Sequence, residues 1–419
     1  MSEFINLGDI SEVKNGYAFK SKNFTNTGIP VIKIKNITPP EISLKDVQYV
    51  SKEIYEENKK YEINYNDILI SMTGSGINQM SSAVGKVGRV RYKEKSLQNQ
   101  RVGKVVIKDE SKYNTDFLYY YLSMNEILEY LVMNSTGSAN QANISKKTIE
   151  NIKVPNVTLS EQKKVVNILS SFDDKIENNN AIIANLEKQA QAIFKSWFVD
   201  FEPFQDGEFI ESELGRIPNN WTVVTLKEVS EEIVTGKTPP TKDPENYGNK
   251  MPFVTIPDMH NNVYAIETER LLSDKGIDTQ SNKVVPKNSI SVSCIATVGL
   301  VTLIASDSMT NQQINTVITK ENISSYYVYN HLKTQSDYLN AIGSSGSTTK
   351  NVNKTTFSNL KMLLPSESIL KKYHRLCEPI FEYILLIQKQ NKKLVETRDT
   401  LLPKLMSGEI RVEEATEVN

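Results

Sequence analysis

Apolar side chains recur at alternating three- and four-residue steps over two long segments, and elsewhere gather in short β-branched runs. The first segment opens at Thr158-Leu-Ser-Glu161, whose spacing suits a capping box. Its seam then reads Leu169, Phe172, Ile176, Asn179, Ile183, Leu186, Ala190, Ile193 and Trp197. A shift of 208 residues gives a second seam: Leu370, Tyr373, Cys377, Ile380, Ile384, Ile387, Asn391, Leu394, Arg398, Leu401 and Leu405. Both patterns predict long coiled-coil helices, and each carries one Asn.

If the helices run antiparallel, matching Asn179 with Asn391 makes paired residue numbers sum to 570. Leu186 then meets Ile384, Ile183 meets Ile387, Ile176 meets Leu394, Leu169 meets Leu401 and Trp197 meets Tyr373. A buried Asn facing Leu would orphan its amide at a cost of about 1 to 3 kcal/mol, whereas Asn facing Asn can hydrogen-bond. The other reading places both Asn toward solvent near kinked stretches. Pro379 is expected to kink the second helix and Pro403 to end or bend it. Arg398 interrupts the apolar seam unless its guanidinium reaches Asp173 or Asp174. At ~1.5 Å per residue, a helix of about 38 residues is ~57 Å long, enough to hold two domains about one DNA turn or more apart.

The remaining sequence is two copies of one plan. Residues 7–16 (LGDISEVKNG) resemble 226–236 (LKEVSEEIVTG), and 29–34 (IPVIKI) resemble 251–256 (MPFVTI). Residues 67–71 match 289–293, and Asn99-Gln100 matches Asn311-Gln312, with the offset falling from 222 to 212. The first copy therefore carries an insertion near residues 74–82. Residues 31–34, 68–72, 102–107, 253–256 and 290–293 read as strands of a mixed sheet, and residues 115–130 and 325–339 as short helices. The fold class is α+β, each half being a globular domain followed by a long helix.

The chain has 419 residues, with 49 Lys and Arg against 50 Asp and Glu. That is room for two or three cored units, and the −1 charge gives no global pull toward nucleic acid. Any DNA-binding case must rest on local clusters. The N-terminus lacks a basic head and an apolar core, and no run approaches a membrane span, so a cytoplasmic location is expected. Cys294 and Cys377 are expected to be buried small side chains, and no metal site is expected.

The densest basic stretch is residues 85–108, where Lys86, Arg89, Arg91, Lys93, Lys95, Arg101, Lys104 and Lys108 face Glu94 alone. Phosphate attraction is one reading; a hairpin with a solvated basic face is the other. Gln98, Asn99, Gln100 and Arg101 add side chains suited to base edges. Lys20, Lys22 and Asn140 complete the first copy's candidates. The second copy balances 13 basic against 13 acidic residues over 221–364 and offers Lys237, Thr238, Lys242, Asn311, Gln312, Gln313, Lys350 and Asn351. No catalytic residue is assigned. Gly236-Lys237-Thr238 lacks the upstream Gly of a P-loop, Gly74-Ser-Gly76 lacks the third glycine of a dinucleotide fingerprint, and the Thr-Pro-Pro runs at 38–40 and 238–240 lack the flanks of an amino-methyltransferase motif.

The whole layout resembles the specificity subunit of type I restriction-modification systems. The resemblance rests on residues 155–173 (PNVTLSEQKKVVNILSSFD), 192–201 (AIFKSWFVDF), 214–221 (LGRIPNNW) and 401–410 (LLPKLMSGEI). It implies two tandem target-recognition domains separated by two long helices that form an antiparallel coiled coil. The expected division is recognition domain 1 over 1–156, central helix 157–200, linker 201–220, recognition domain 2 over 221–365, C-terminal helix 366–410 and tail 411–419. The resemblance further implies double-stranded DNA as target, two modification subunits carrying S-adenosylmethionine, and restriction subunits using ATP and magnesium, with no cofactor on this chain and no catalysis by it. Two alternatives remain at this point: a coiled-coil adaptor joining two protein-binding domains, and a self-contained adenine methyltransferase.

Overall fold

The structure is a computed structural model, and it describes residues 4–76, 79, 83–138, 141–344 and 350–412. The chain divides into two compact units, Met1–Asp174 with Leu394–Asn419, and Lys175–Lys393.

In the first unit a six-stranded sheet runs in the order Ser11–Asn15, Val102–Ile107, Ile68–Ser71, Val87–Arg89, Glu41–Ile42, Ile37–Thr38. A five-stranded sheet of Phe24–Thr25, Gln48–Val50, Ile29–Ile32, Ser96–Gln98 and Glu62–Ile63 accompanies it. Strand Ile68–Ser71 shows why the sequence folds this way. Side chains alternate across a strand, so Ile68 and Ile70 join Phe117, Leu118 and Leu131 of the helical layer, while Leu69 joins Ile32, Val90 and Val102 on the other face. A strand covered on both faces needs the unbroken apolar run that the sequence shows there.

The second unit repeats this order. Ser230–Thr235, Ile314–Thr319, Ile290–Ser293, Val301–Ile304 and Tyr264–Ala265 form its main sheet, position for position the first five strands of the earlier one. Arg270–Leu272, Tyr247–Val254 and Met309–Thr310 form the smaller sheet. Each copy is closed by a two-stranded ribbon, Phe4–Asn6 with Lys153–Pro155 and Thr222–Thr225 with Lys361–Leu364, from which a long helix departs. The helices expected over 115–130 and 325–339 are each two helices, Thr115–Leu122 with Asn125–Met133 and Ser325–Thr334 with Ser336–Gly343. The expected linker 201–220 instead carries the hairpin Phe209–Ser212 with Gly215–Pro218, turning at Gly215 with φ of 90°.

The long helices span Leu159–Phe198 and Glu367–Ser407. Glu161 caps the first by accepting from the Thr158 amide and hydroxyl, as the spacing predicts. The second runs as one helix through Pro379 and Pro403, so neither proline ends it. Pro379 and Arg375 both lie on its exposed face, where water can take the carbonyl that the proline ring leaves unpaired.

Within the second unit the two helices are antiparallel. Asn179 Nδ2 donates to Asn391 Oδ1 at 2.7 Å and to Gln390 Oε1 at 2.9 Å, and the Trp197 and Tyr373 rings lie 6.1 Å apart. Ile183 and Leu186 pack on the cluster that contains Ile384, and Ile387 is buried. Asn179 is 1% exposed, so the solvent-facing reading fails for it. Within the first unit Leu169 is buried, with Leu401 packed on the same cluster, and Arg398 Nη1 donates to Asp173 Oδ1 at 2.6 Å. Ile176 belongs to the second unit and Leu394 to the first. Cys294 and Cys377 are both buried and unpaired.

Candidate nucleic-acid interface

The matching landmarks of the two copies, Gly16 with Asn99-Gln100 and Gly236 with Asn311-Gln312, meet in space as one corner per domain. In the first, strand Ser11–Asn15 ends at Gly16, and a Cβ there would collide with the carbonyls of Gln98 and Asn99. Only glycine permits that approach. The Tyr17 amide then donates to Gln98 O, and the Gln100 amide to Tyr17 O, both at 2.9 Å. The corner is thus fixed by backbone, leaving the side chains of Tyr17, Gln100 and Arg101 exposed and Asn99 half-buried. Tyr17 sits edge-on to Phe19 at 5.0 Å and beside Tyr61 at 5.5 Å, and Lys33 caps the neighbouring Phe24 at 3.9 Å. Arg101 Nη1 donates to Asn143 Oδ1 at 3.5 Å.

The second domain builds the same corner from different side chains. Gly236 presses on the carbonyls of Thr310 and Asn311, and the Lys237 amide donates to Thr310 O at 3.0 Å. Thr238 Oγ1 donates to Gln312 Oε1 at 2.5 Å. Lys237 and Gln312 are exposed, Thr238 and Gln313 half-buried.

Three sequence candidates serve the fold instead. Arg89 is only 6% exposed; it pairs with Asp116 at 2.6 Å and Asp173 at 3.6 Å and stacks over the Tyr119 ring at 4.5 Å. Burial opposes its charge, but Tyr120 and Asp116 beside it hold its pKa above the usual arginine value. Gln98, 1% exposed, donates to the carbonyls of Lys14 and Val102 at 2.7 Å each. Asn311, 8% exposed, ties its own turn through the Gln313 amide and side chain. Charge density along the sequence makes Arg89 look available because its partners, Asp116 and Asp173, lie far along the chain.

The other candidates are scattered. Lys86 is half-buried, with its pKa lowered by that burial. Arg91 lies over the Tyr65 ring and 3.9 Å from Asp174. Lys93 and Lys242 are exposed, as are Lys20 and Lys22 at the turn Ser21–Asn23. Lys350 donates to Asn340 Oδ1 at 2.7 Å, Asn351 bridges to Ile295, and Asn140 lies outside the described residues. Sequence reasoning missed Tyr17. The available signal was its place directly after the repeated glycine, where the second copy has Lys237.

Asp173 is the centre of a buried network on the central helix. It accepts from Tyr120 Oη and from Arg398 Nη1, each at 2.6 Å. Burial and the adjoining carboxylate push the Tyr120 phenol far above its usual range. For Arg398 burial opposes the charge, but Asp173 and Asp399 outweigh it and raise the pKa.

A duplicated α+β scaffold with one polar corner per copy, each copy leading into a long helix, defines a two-domain modular protein. A family model for the type I restriction modification DNA specificity domain matches residues 2–188 and again residues 218–397. The chain belongs to the type I restriction-modification DNA specificity family. It is 34% identical to the type I restriction enzyme HindI specificity subunit of Haemophilus influenzae, over 77% of this chain and 84% of that one. It is 28% identical to the MjaIX specificity subunit of Methanocaldococcus jannaschii, over 97% and 93% of the two chains. Among solved structures, the type I restriction-modification S subunit from M. genitalium superposes with a TM-score of 0.55 at 17% identity, covering 97% of this chain and 96% of that one, a likeness of fold. Among the described residues no helix is long and apolar enough to cross a membrane.

Proposed function

We propose that this chain is the DNA-reading subunit of a type I restriction-modification complex, each domain reading one half of a bipartite, asymmetric target. The observation that carries this reading is the repeated corner. One backbone device, glycine against an Asn-Gln turn, presents Tyr17, Asn99, Gln100 and Arg101 in one domain and Lys237, Thr238, Gln312 and Gln313 in the other. Similar scaffolds with different polar tips suit two different base sequences, because Gln and Asn pair with adenine edges and Arg or Lys with guanine.

The long helices dock two modification subunits, which supply S-adenosylmethionine and transfer its methyl group to adenine. Restriction subunits join with ATP and magnesium. The chain itself contributes the address and no catalytic group. Leu376, Tyr383 and Leu386 support a docking role, since they form an exposed apolar row on the C-terminal helix at roughly helical spacing.

Co-expression with candidate modification subunits, followed by sequencing of the DNA for N6-methyladenine, tests the reading. A bipartite methylated motif that appears only with this chain is expected. Partners that bind without producing a motif, or no binding at all, would refute it.

A further inference from the structure

The basic stretch that dominates the sequence is largely committed elsewhere: Arg89 lies inside the ion-pair network, and Arg91 is held between Tyr65 and Asp174. Its exposed lysines, Lys93 and Lys95, sit just before strand Ser96–Gln98, whereas the corner at Asn99 lies just after it. The two features are therefore at opposite ends of a three-residue strand, about 10 Å apart.

Beside the corner lies a different basic surface. A groove of about 660 Å3 is bordered by four lysines, Lys14, Lys60, Lys104 and Lys146, against two carboxylates, Glu12 and Asp67, with Tyr61 and Gln98 also in its wall. Tyr61 is the ring next to Tyr17, and Gln98 precedes the Asn99 turn, so the groove is continuous with the corner. Lys14 and Lys104 are direct cross-strand partners. Like charges facing each other across an antiparallel pair are destabilising, and only one of these two is neutralised: Lys104 donates to Asp67 at 3.0 Å and to Glu62 O at 2.9 Å. Lys146 is balanced by Glu12 and Glu150 at 3.5 Å each. Lys14 and Lys60 are exposed, and neither has a carboxylate partner among the described residues; Lys60 lies over the Tyr61 ring at 5.1 Å, a contact that leaves its charge intact. The second domain has no counterpart, since Val234 and Thr316 hold the positions of Lys14 and Lys104 and are both buried.

We propose that the Lys14 and Lys60 groove holds the phosphate backbone of the first domain's half-site, placing the bases against Tyr17, Gln100 and Arg101. This deepens the DNA-reading function proposed above and rests on it. The groove supplies ammonium groups without a neutralising carboxylate where a duplex reaching the corner must pass its backbone. Phosphate contacts position a duplex without reading it, so the groove governs affinity and its salt dependence, and the corner governs sequence.

The test uses the chain assembled with its modification subunits and a duplex carrying the methylated motif found for the unaltered complex. In Lys14→Ala/Lys60→Ala the slope of log affinity against log salt should shrink by about 2, one for each phosphate left without its ammonium partner, while the methylated motif stays the same. Both side chains are exposed, and relief of the Lys14–Lys104 repulsion opposes loss of the Lys60–Tyr61 contact, so the thermal transition should move little. A full slope in this variant overturns the proposal. So does a slope that falls instead in Lys93→Ala/Lys95→Ala, which would put the phosphates on the basic stretch. If the unaltered complex yields neither a motif nor salt-dependent binding, the DNA-reading function falls and the groove proposal with it.

Discussion

The Asn179 and Asn391 pair offers a direct test of how the helix register is held. Asn179 Nδ2 donates to Asn391 Oδ1 at 2.7 Å and to Gln390 Oε1 at 2.9 Å, and Asn391 Nδ2 donates onward to Asn180 Oδ1 at 2.8 Å. Gln390 is exposed and regains water if its partner is removed; Asn391 is half-buried and does so only in part. Asn179→Leu therefore leaves an under-satisfied amide against a new apolar group, a penalty of about 1 to 3 kcal/mol. Burial of the Leu side chain offsets some of it. Asn391→Leu takes one acceptor from Asn179, which at 1% exposure has no water to turn to and keeps only Gln390 Oε1, so its cost should fall in the same range. The double Leu variant removes both amides and restores a continuous apolar seam, so it should recover most of the loss or exceed the original stability. The coupling between the two positions should reach about 2 kcal/mol. Trp197 and Trp221 are the only tryptophans, and both lie in the second unit with the Asn pair, so tryptophan fluorescence in a urea titration follows the relevant transition. Additivity of the two single changes within about 0.5 kcal/mol would refute the claim that the pair acts as one device.

Three further outcomes are expected. Asp173→Ala should destabilise the first unit by about 1 to 3 kcal/mol, because it takes the acceptor from the Tyr120 hydroxyl and one of two carboxylates from each arginine, leaving Arg89 with Asp116 and the half-buried Arg398 with Asp399; Asp174→Ala, at a side chain 67% exposed, should change stability by less than about 0.5 kcal/mol. Near-ultraviolet circular dichroism of the tyrosines around Asp173 on heating separates these. Burial lowers the His331 pKa from 6.5 to about 4, so the unfolded chain takes up the proton first as pH falls; full stability holds above about pH 6.5, and about 3 kcal/mol is lost on approach to pH 4. Urea midpoints measured across that window should fall for the unaltered chain and stay flatter in His331→Gln. Gly16→Ala should blur only one half of the methylated motif and Gly236→Ala only the other, since each Cβ would displace one corner; a motif unchanged in both would separate the corners from base reading.

Patterns confined to one element are legible in the sequence. The three-four repeats place both helices, and the lone Asn in each seam points to register and direction. The Thr158 to Glu161 cap and the doubled landmarks at Gly16 and Gly236 also read through, because each depends on neighbours or on a shared plan. What does not read through depends on partners distant in sequence. Arg89 resembles a phosphate ligand because Asp116 and Asp173 stand 27 and 84 positions away. Gln98 resembles a base reader because its acceptors are carbonyls, which composition never displays. The linker hairpin gives no strand signal because its strands, Phe209–Ser212 and Gly215–Pro218, are short, hold one β-branched residue each and include Gly and Pro. Pro379 reads as a helix breaker because the wetness of its face of the helix is set by tertiary packing, not by its neighbours in sequence.

The two halves of the chain differ in a way that bears on how a nearly neutral protein can hold a polyanion. In the first domain a cation pair, Lys14 with Lys104, occupies neighbouring strands at the edge of the sheet, and one of the two goes unneutralised. In the second domain the same two positions are Val234 and Thr316, sealed into the core. Opening the first domain's edge to solvent sacrifices apolar burial there, and the fold tolerates it because the main sheet is covered on both faces farther in, at Ile68 to Ile70. Duplication thus leaves each copy free to trade core for charge independently. If the groove binds phosphate, the two half-sites are gripped unequally: the first by its own lysines, the second by its corner and by whatever positive surface the partner subunits bring. Raising salt should then weaken contact with the first half-site more steeply than with the second, an asymmetry that two fully equivalent domains would not produce.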